Sequence, residues 1–578
     1  MSGALTWLRS ATLGSSLTDL SHGRSIRSGG LTAFVAAHRA DWLVAAAAML
    51  PMALVYLLHY LCAPAGYAAT GFLQYDQASY MANARAVFEH SPGLTYGVPF
   101  SPYDDTPRVY FQPIAVLLGA IRAVTQWSPG AIYVGMGIIA SIVMFRVALA
   151  LATCFDGGPR DRADWLARIA LLWGGGISVL LGVSLYWLGA KLGANVWQAA
   201  TALDFGDGYW FLNLGRNVYY AIEAANHVLF LGCVVLLLRR RYGAAFVVMT
   251  LQATNHPITG VELICVVGAF TLFEQMLRRP DAPPRWFGYA TAALLVVHLG
   301  YWLIGLDLLS PEQRAIKQQW TQPGLLEGWV LPGHAIVVAY LPVMTLAVLR
   351  LLRHPAWPGA LQQQPVRLAL VWFFVAFALA NHEVFMSARQ PVHFTRGYVW
   401  TPLALLALPL VAGGFRSAAG LRHRALGVAA ASVVLMLALL DNATWFARHY
   451  RDLAEHTEAN ALLIRDDQRA VLDRLAAPDM SHHLVLSEDP LLGYFVTVYT
   501  GLRAWKSHDF NTPWAALRQS ELDRFFTDAR EVPEWQHRSL VVLLDTTRRS
   551  VTVARLESAG FVSLAKYGDY AILERPAS

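Results

Sequence analysis

Asp76 lies in Gly71-Phe72-Leu73-Gln74-Tyr75-Asp76-Gln77-Ala78-Ser79-Tyr80 and opens a stretch to His90 in which Tyr80, Ala84, Val87 and Phe88 recur at helical spacing. Such a helix can lie on a bilayer surface with its apolar face inward. A carboxylate held at that interface can take a proton from a hydroxyl, or hold a divalent cation (Mg or Mn) against a phosphate leaving group. Asp is also a favoured helix N-cap, and one residue can fill both roles. Asp104 and Asp105, further along the same connector, are candidates for a second carboxylate. They fit a solvated turn equally, in Pro102-Tyr103-Asp104-Asp105-Thr106-Pro107.

The complementary charge comes much later in the chain. Ser387 to Gly397 holds Arg389, His393 and Arg396 in one short connector between apolar runs. Charge near a membrane interior costs about 2.5–3.5 kcal/mol on insertion scales, so such a cluster reads as functional. Its chemistry suits a phosphate, which arginine grips bidentately. Arg396 is the expected phosphate contact, flanked by Arg389 and His393, with snorkelling anchors at a helix end as the plain alternative. Tyr75, Gln77, Tyr80, Asn255 and His256 are candidates for lining a groove between the two charges. For Asn255 and His256, interhelical hydrogen bonding is the competing role.

Only a membrane domain can position these groups. The chain has 578 residues, 56% hydrophobic and 15% charged, with a mean hydropathy of +0.39; soluble domains run at about 25% charged. The net charge of +6 comes from short arginine clusters between apolar runs, without an aromatic-interleaved basic face, so nucleic acid is not an expected partner. The four cysteines show no C-x-x-C spacing, which argues against a thiolate metal site or a disulfide framework. Neither an internal repeat nor a cleavable signal peptide is evident.

Lys/Arg-rich loops mark the cytoplasmic side, and they thread the chain. Residues 1–41 form a cytoplasmic N-terminal segment, and 42–441 a transmembrane domain of about eleven or twelve spans. Within it, an outer loop covers 63–110, and residues 111–126 form a helix dipping into the outer leaflet. A hairpin breaks at Asn255-His256-Pro257, because proline removes a backbone donor. From 442 to 578 the composition changes to that of a small extramembrane α/β domain, with strands at His483 to Ser487 and Ser539 to Leu544 and a closing hairpin around a Gly-Asp turn. The expected fold is therefore a polytopic α-helical membrane protein with a large first outer loop and a C-terminal α/β domain.

This order of parts resembles the C-type glycosyltransferases (the GT-C fold), integral membrane enzymes that use polyprenyl-phosphate sugars. The likeness rests on the first span, the outer loop with Asp76 in an amphipathic segment, the proline-led helix after Tyr110-Phe111-Gln112-Pro113, the many spans and the C-terminal domain. It implies transfer of a hexose or pentose, with inversion, from a polyprenyl-phosphate donor to an envelope glycan, lipid or protein acceptor. It also implies a bacterial inner-membrane enzyme with its C-terminal domain in the periplasm and Asp76 as base. The family's usual second acid would directly follow Asp76, where this chain has Gln77, so Asp104 or Asp105 would have to supply that charge. Two rival readings use the same residues. One is a lipid-linked saccharide transporter or flippase, for which paired repeats and midplane charges are the usual marks. The other is a non-catalytic subunit of an envelope-polysaccharide assembly, with the tail as a docking module.

Overall fold

The computed structural model describes residues 39–88, 93–159, 161–204, 213–322, 330–331, 333–353, 361–421, 423–455, 462–548 and 551–577. The expected cytoplasmic segment 1–41 lies almost entirely outside the described residues, as do Glu89 and His90 at the end of the Asp76 stretch.

Seven helices are long and apolar enough to cross a membrane, and two bent pairs bring the number to nine. The first pair, Arg39–Ala48 with Leu50–Leu61, bends by 43° ahead of Pro51. The second, Arg162–Trp173 with Ser178–Trp187, bends by 76° at Gly174-Gly175-Gly176. The turn requires small residues, since a Cβ on Gly176 would sit 2.1 Å from the Val338 carbonyl oxygen and one on Gly174 2.2 Å from that of Ala170. Asp441 closes the break by accepting from the backbone N–H groups of Ser178 and Val179 at 3.1 and 3.0 Å. These are donors that a new helix start would otherwise leave bare inside an apolar bundle.

Two shorter helices lie among these spans: Tyr242–Asn255, of 14 residues, and Gln364–Ala380, of 17. By length and hydropathy the described residues hold seven to nine candidate spans, against the eleven or twelve expected. The hairpin of Tyr242–Asn255 and Pro257–Met276 breaks at His256, as the proline predicts. Pro113–Thr125 is different. Its 13 residues rise about 20 Å, short of a hydrocarbon core of about 30 Å. Its start is capped by Asn255, which accepts from Ile114 N–H at 3.0 Å, and at its end Arg122 donates to the Val498 and Tyr499 carbonyls of the C-terminal domain. Both ends thus meet elements of one face, and the helix does not cross.

The opposite face gathers the arginines. Arg367 forms a buried pair with Glu274, while Arg240 and Arg416 meet Asp281 and Asp161 at 3.9 and 2.7 Å. We refer to this end as the basic face and to the other as the domain face.

The last long helix runs from Arg424 to Ala454, past residue 441, and a five-stranded sheet follows it. Its five strands, β3 (Leu484–Ser487), β4 (Arg503–Ala504), β5 (Leu540–Asp545), β6 (Val562–Tyr567) and β7 (Tyr570–Arg575), lie in the order β4-β3-β5-β7-β6. β4-β3-β5 is parallel and β5-β7-β6 antiparallel. β3 and β5 are fully buried, in keeping with their unbroken apolar runs. The domain is stitched to the first loop through β1 (Tyr67–Ala69), which pairs antiparallel with β2 (Leu463–Arg465) in the register Tyr67↔Arg465.

Candidate functional site

Asp76 sits inside a short 3₁₀ turn, Tyr75–Ala78, that leads into the helix Ser79–Phe88. The cap of that turn is Gln74, whose side-chain oxygen accepts from the Asp76 N–H at 2.6 Å. The capping role open to Asp76 in sequence is therefore taken by its neighbour, and the Asp76 carboxylate is left for other work. It is 38% exposed, and its Oδ1 lies 3.1 Å from Nε2 of His508, a fully buried residue of the sheet domain. Its Oδ2 is 3.4 Å from the Gln74 amide.

His508 is held by its other nitrogen. Nδ1 accepts from the backbone N–H groups of Phe510 and Asn511 at 3.1 and 3.2 Å. An imidazole nitrogen that accepts carries no proton, so Nε2 holds the hydrogen and donates to Asp76. The ring is boxed by Tyr75, Tyr494 and Phe100 at 4.9, 5.0 and 5.2 Å between centroids. Burial, helped by nearby Asp509 and Asp76, raises the Tyr75 phenol above its usual range. It stays protonated, and its oxygen accepts from the Asp509 N–H at 3.1 Å.

The other predicted groove residues divide into frame and wall. Gln77 is fully buried with both ends of its amide used, accepting from Leu73 N–H at 2.8 Å and donating to the Tyr219 carbonyl at 2.9 Å. It occupies the position of the family's second acid, but as a spacer between loop and bundle. Asn255 is likewise committed, to Ile114 and, at 2.7 Å, to Asn226. Tyr80 lies in the helix after Asp76, within the electrostatic reach of Asp76, Glu223 and Arg396.

Arg396 is buried and already has a counter-ion. It forms an ion pair with Glu223, contacts His256 at 3.2 Å and donates to His393. Its Nε has no hydrogen-bond partner among the described residues. Burial, with Arg396 and His256 alongside, holds His393 well below the usual histidine range. It stays neutral at ordinary pH and adds hydrogen-bonding capacity instead of charge. His256 caps the helix Pro257–Met276 by accepting from Thr259 N–H at 3.2 Å. Arg389 is exposed, its backbone N–H fixed to His382 at 2.8 Å while its side chain points outward. The cluster expected from sequence thus contains one buried and one exposed cation, with a neutral histidine beside the buried one.

Asp104 does not join Asp76. It pairs with Arg503 of the sheet domain at 2.9 Å, and Arg503 also donates to the Pro99 carbonyl at 2.7 Å. Asp105 is exposed on the same turn. Among the described residues no three His, Cys, Asp or Glu side chains gather as a metal-binding group. Asp76 and His508 are two, and His508 turns an N–H rather than a lone pair toward Asp76. Among the described residues this donor set does not fit a bound divalent cation.

Sequence reasoning passed over two residues that matter here. Glu223 was detectable as the one acid in the helix Ala221–Leu238, since an ionisable group at that depth signals a partner or a function. His508 had no such signal, because its neighbours in sequence are ordinary polar loop residues.

No protein-family profile matches this chain, and no curated protein matches it in sequence. Solved structures do share its general shape. An Archaeoglobus fulgidus oligosaccharyltransferase in complex with Zn and sulfate superposes with a TM-score of 0.47 at 13% identity, over 86% of this chain and 67% of that one. The same enzyme tethered to an acceptor peptide containing the NVT sequon gives 0.46 at 12%, over 88% and 69%. Its complex with an inhibitory peptide and a dolichol-phosphate gives 0.42 at 12%, over 87% and 69%. Superpositions at this level carry no functional assignment, which has to come from the residues of this chain.

Proposed function

We propose that this chain is a membrane glycosyltransferase that moves a sugar from a polyprenyl-phosphate donor to a hydroxyl of an envelope glycan, lipid or protein. The observation that carries the proposal is the state of Asp76. It is a partly exposed carboxylate at the rim of the membrane domain, held by two uncharged donors, the His508 ring and the Gln74 amide.

In this reading Asp76 takes the acceptor's hydroxyl proton as that oxygen attacks the anomeric carbon. The bond from sugar to lipid phosphate breaks, and the phosphate leaves with the electron pair. One displacement inverts the anomeric centre. A positioned general base of this kind contributes about 10²–10⁴-fold. Arg389, exposed at the domain face, supplies charge to the departing phosphate. Because Glu223 already neutralises Arg396, the bidentate grip expected of that residue passes to Arg389. Bacterial inner-membrane placement, with the domain face in the periplasm, belongs to the same proposal and agrees with the arginine-rich opposite face.

The test is purified protein in lipid bilayers, incubated with radiolabelled polyprenyl-phosphate hexoses and pentoses and an envelope extract. Label appearing in the acceptor with inverted anomeric configuration supports the proposal. Label that only crosses the bilayer on its lipid would replace it with the transporter reading.

A further inference from the structure

We propose that His508 is the positioning residue of the Asp76 centre, so that the active site is complete only when the sheet domain has closed over the first loop. The inference rests on the reading of Asp76 as base. Its elements are the fixed tautomer of His508, the 3.1 Å contact to Asp76 Oδ1 and the complete burial of the ring.

The type of donor matters. A guanidinium at this position would neutralise the carboxylate and reduce its basicity, whereas a neutral Nε2–H fixes the direction of Oδ1 and leaves the negative charge in place, with Oδ2, which accepts only a long 3.4 Å bond from the Gln74 amide, open to the acceptor hydroxyl. Protonating His508 at Nδ1 would break two backbone hydrogen bonds at once, so the ring is not itself a proton shuttle. The loop that carries it is gripped from the membrane domain. Gln319, on the helix Pro311–Trp320, donates to the Thr512 carbonyl at 3.0 Å and accepts from Ala515 N–H at 2.6 Å, and Trp320 donates to the Phe510 carbonyl at 2.8 Å. Thr512 in turn accepts from the Ser507 N–H at 3.2 Å.

Docking of the domain does not need His508. β1–β2 pairing, the Arg503–Asp104 ion pair, the Arg538 contact to the Pro102 carbonyl at 3.1 Å and the Tyr494 contact to the Tyr75 carbonyl at 3.0 Å hold it independently. The His508 to Asp76 bond is thus separable from the interface around it.

Two substitutions divide the functions of the ring. His508→Asn keeps an acceptor near Nδ1 for the backbone amides and loses the donor to Asp76. His508→Gln keeps a donor near Nε2. Full-length variants, and His508→Asn combined with Asp76→Asn, would be assayed for sugar transfer, with limited proteolysis reporting whether the sheet domain is docked. The expected result is a kcat loss of about ten- to hundredfold in His508→Asn, the equivalent of one hydrogen bond to a charged group. KM and docking should be unchanged, most of the rate should return in His508→Gln, and His508→Asn should cost nothing further once Asp76 is Asn. A docked His508→Asn at the wild-type rate, an equal loss in both Asp76 backgrounds, or a domain released in His508→Asn would each overturn the inference. Full activity in Asp76→Asn would instead remove the base assignment itself, a separate failure.

Discussion

Asp76 and Asp104 belong to one loop, and both reach the sheet domain, but they meet different partners. Asp104, 60% exposed, meets the guanidinium of Arg503, which neutralises it and ties the loop to the domain. Asp76 meets a neutral imidazole N–H and keeps its charge. The difference shows how an interface can use one residue type for two purposes: a carboxylate matched by a cation is spent on docking, while one matched by an uncharged donor is oriented and remains a base.

The largest effect expected from breaking this comparison is at Asp76. Asp76→Asn should lower transfer by about 10²–10⁴-fold, the usual contribution of a general base, with the domain still docked, measured as initial rates at equal protein. Next is Arg396→Ala, which strands Glu223 without its partner in a buried site. Removing one member of a buried pair costs about 3–5 kcal/mol, so thermal unfolding in detergent should show a large drop in stability, and Glu223→Gln combined with Arg396→Met should recover much of it. Arg389→Ala, at an exposed position, should raise the KM for the polyprenyl-phosphate donor and leave thermal stability unchanged.

How far these sites were legible in sequence follows from the range of the interactions. The seven to nine candidate spans, the break at Asn255-His256-Pro257, the short Pro113–Thr125 helix and the strands of the tail are local matters of apolar run length, proline and period. The candidate carboxylate and the arginine cluster were also visible, because ionisable groups at a membrane surface stand out against their surroundings. Their partners were not. The contact of Tyr75 with Asp509 spans 434 residues and that of Arg396 with Glu223 spans 173. No local pattern marks Asp104 for the guanidinium of Arg503 and Asp76 for the ring of His508. The same limit explains Gln77, whose polar side chain gave no hint that both its ends would be tied to backbone.

The smallest effects sharpen the comparison. Asp104→Asn removes the charge of a mostly exposed acid and leaves the Arg503 bond to the Pro99 carbonyl in place, and such surface pairs contribute about 0–1 kcal/mol. Domain release by limited proteolysis should therefore increase only slightly, and kcat should stay within about twofold, well under one hydrogen bond's worth of rate. Chelation by EDTA should leave the rate unchanged, since the donor set around Asp76 does not fit a divalent cation.

The most direct test sets the two carboxylates side by side: transfer of labelled sugar from a polyprenyl-phosphate donor by Asp76→Asn and by Asp104→Asn, at matched expression in the same membranes. Loss of transfer in Asp76→Asn with near wild-type transfer in Asp104→Asn is the expected result. Equal transfer by the two variants, whether both active or both inactive, would contradict the division of roles.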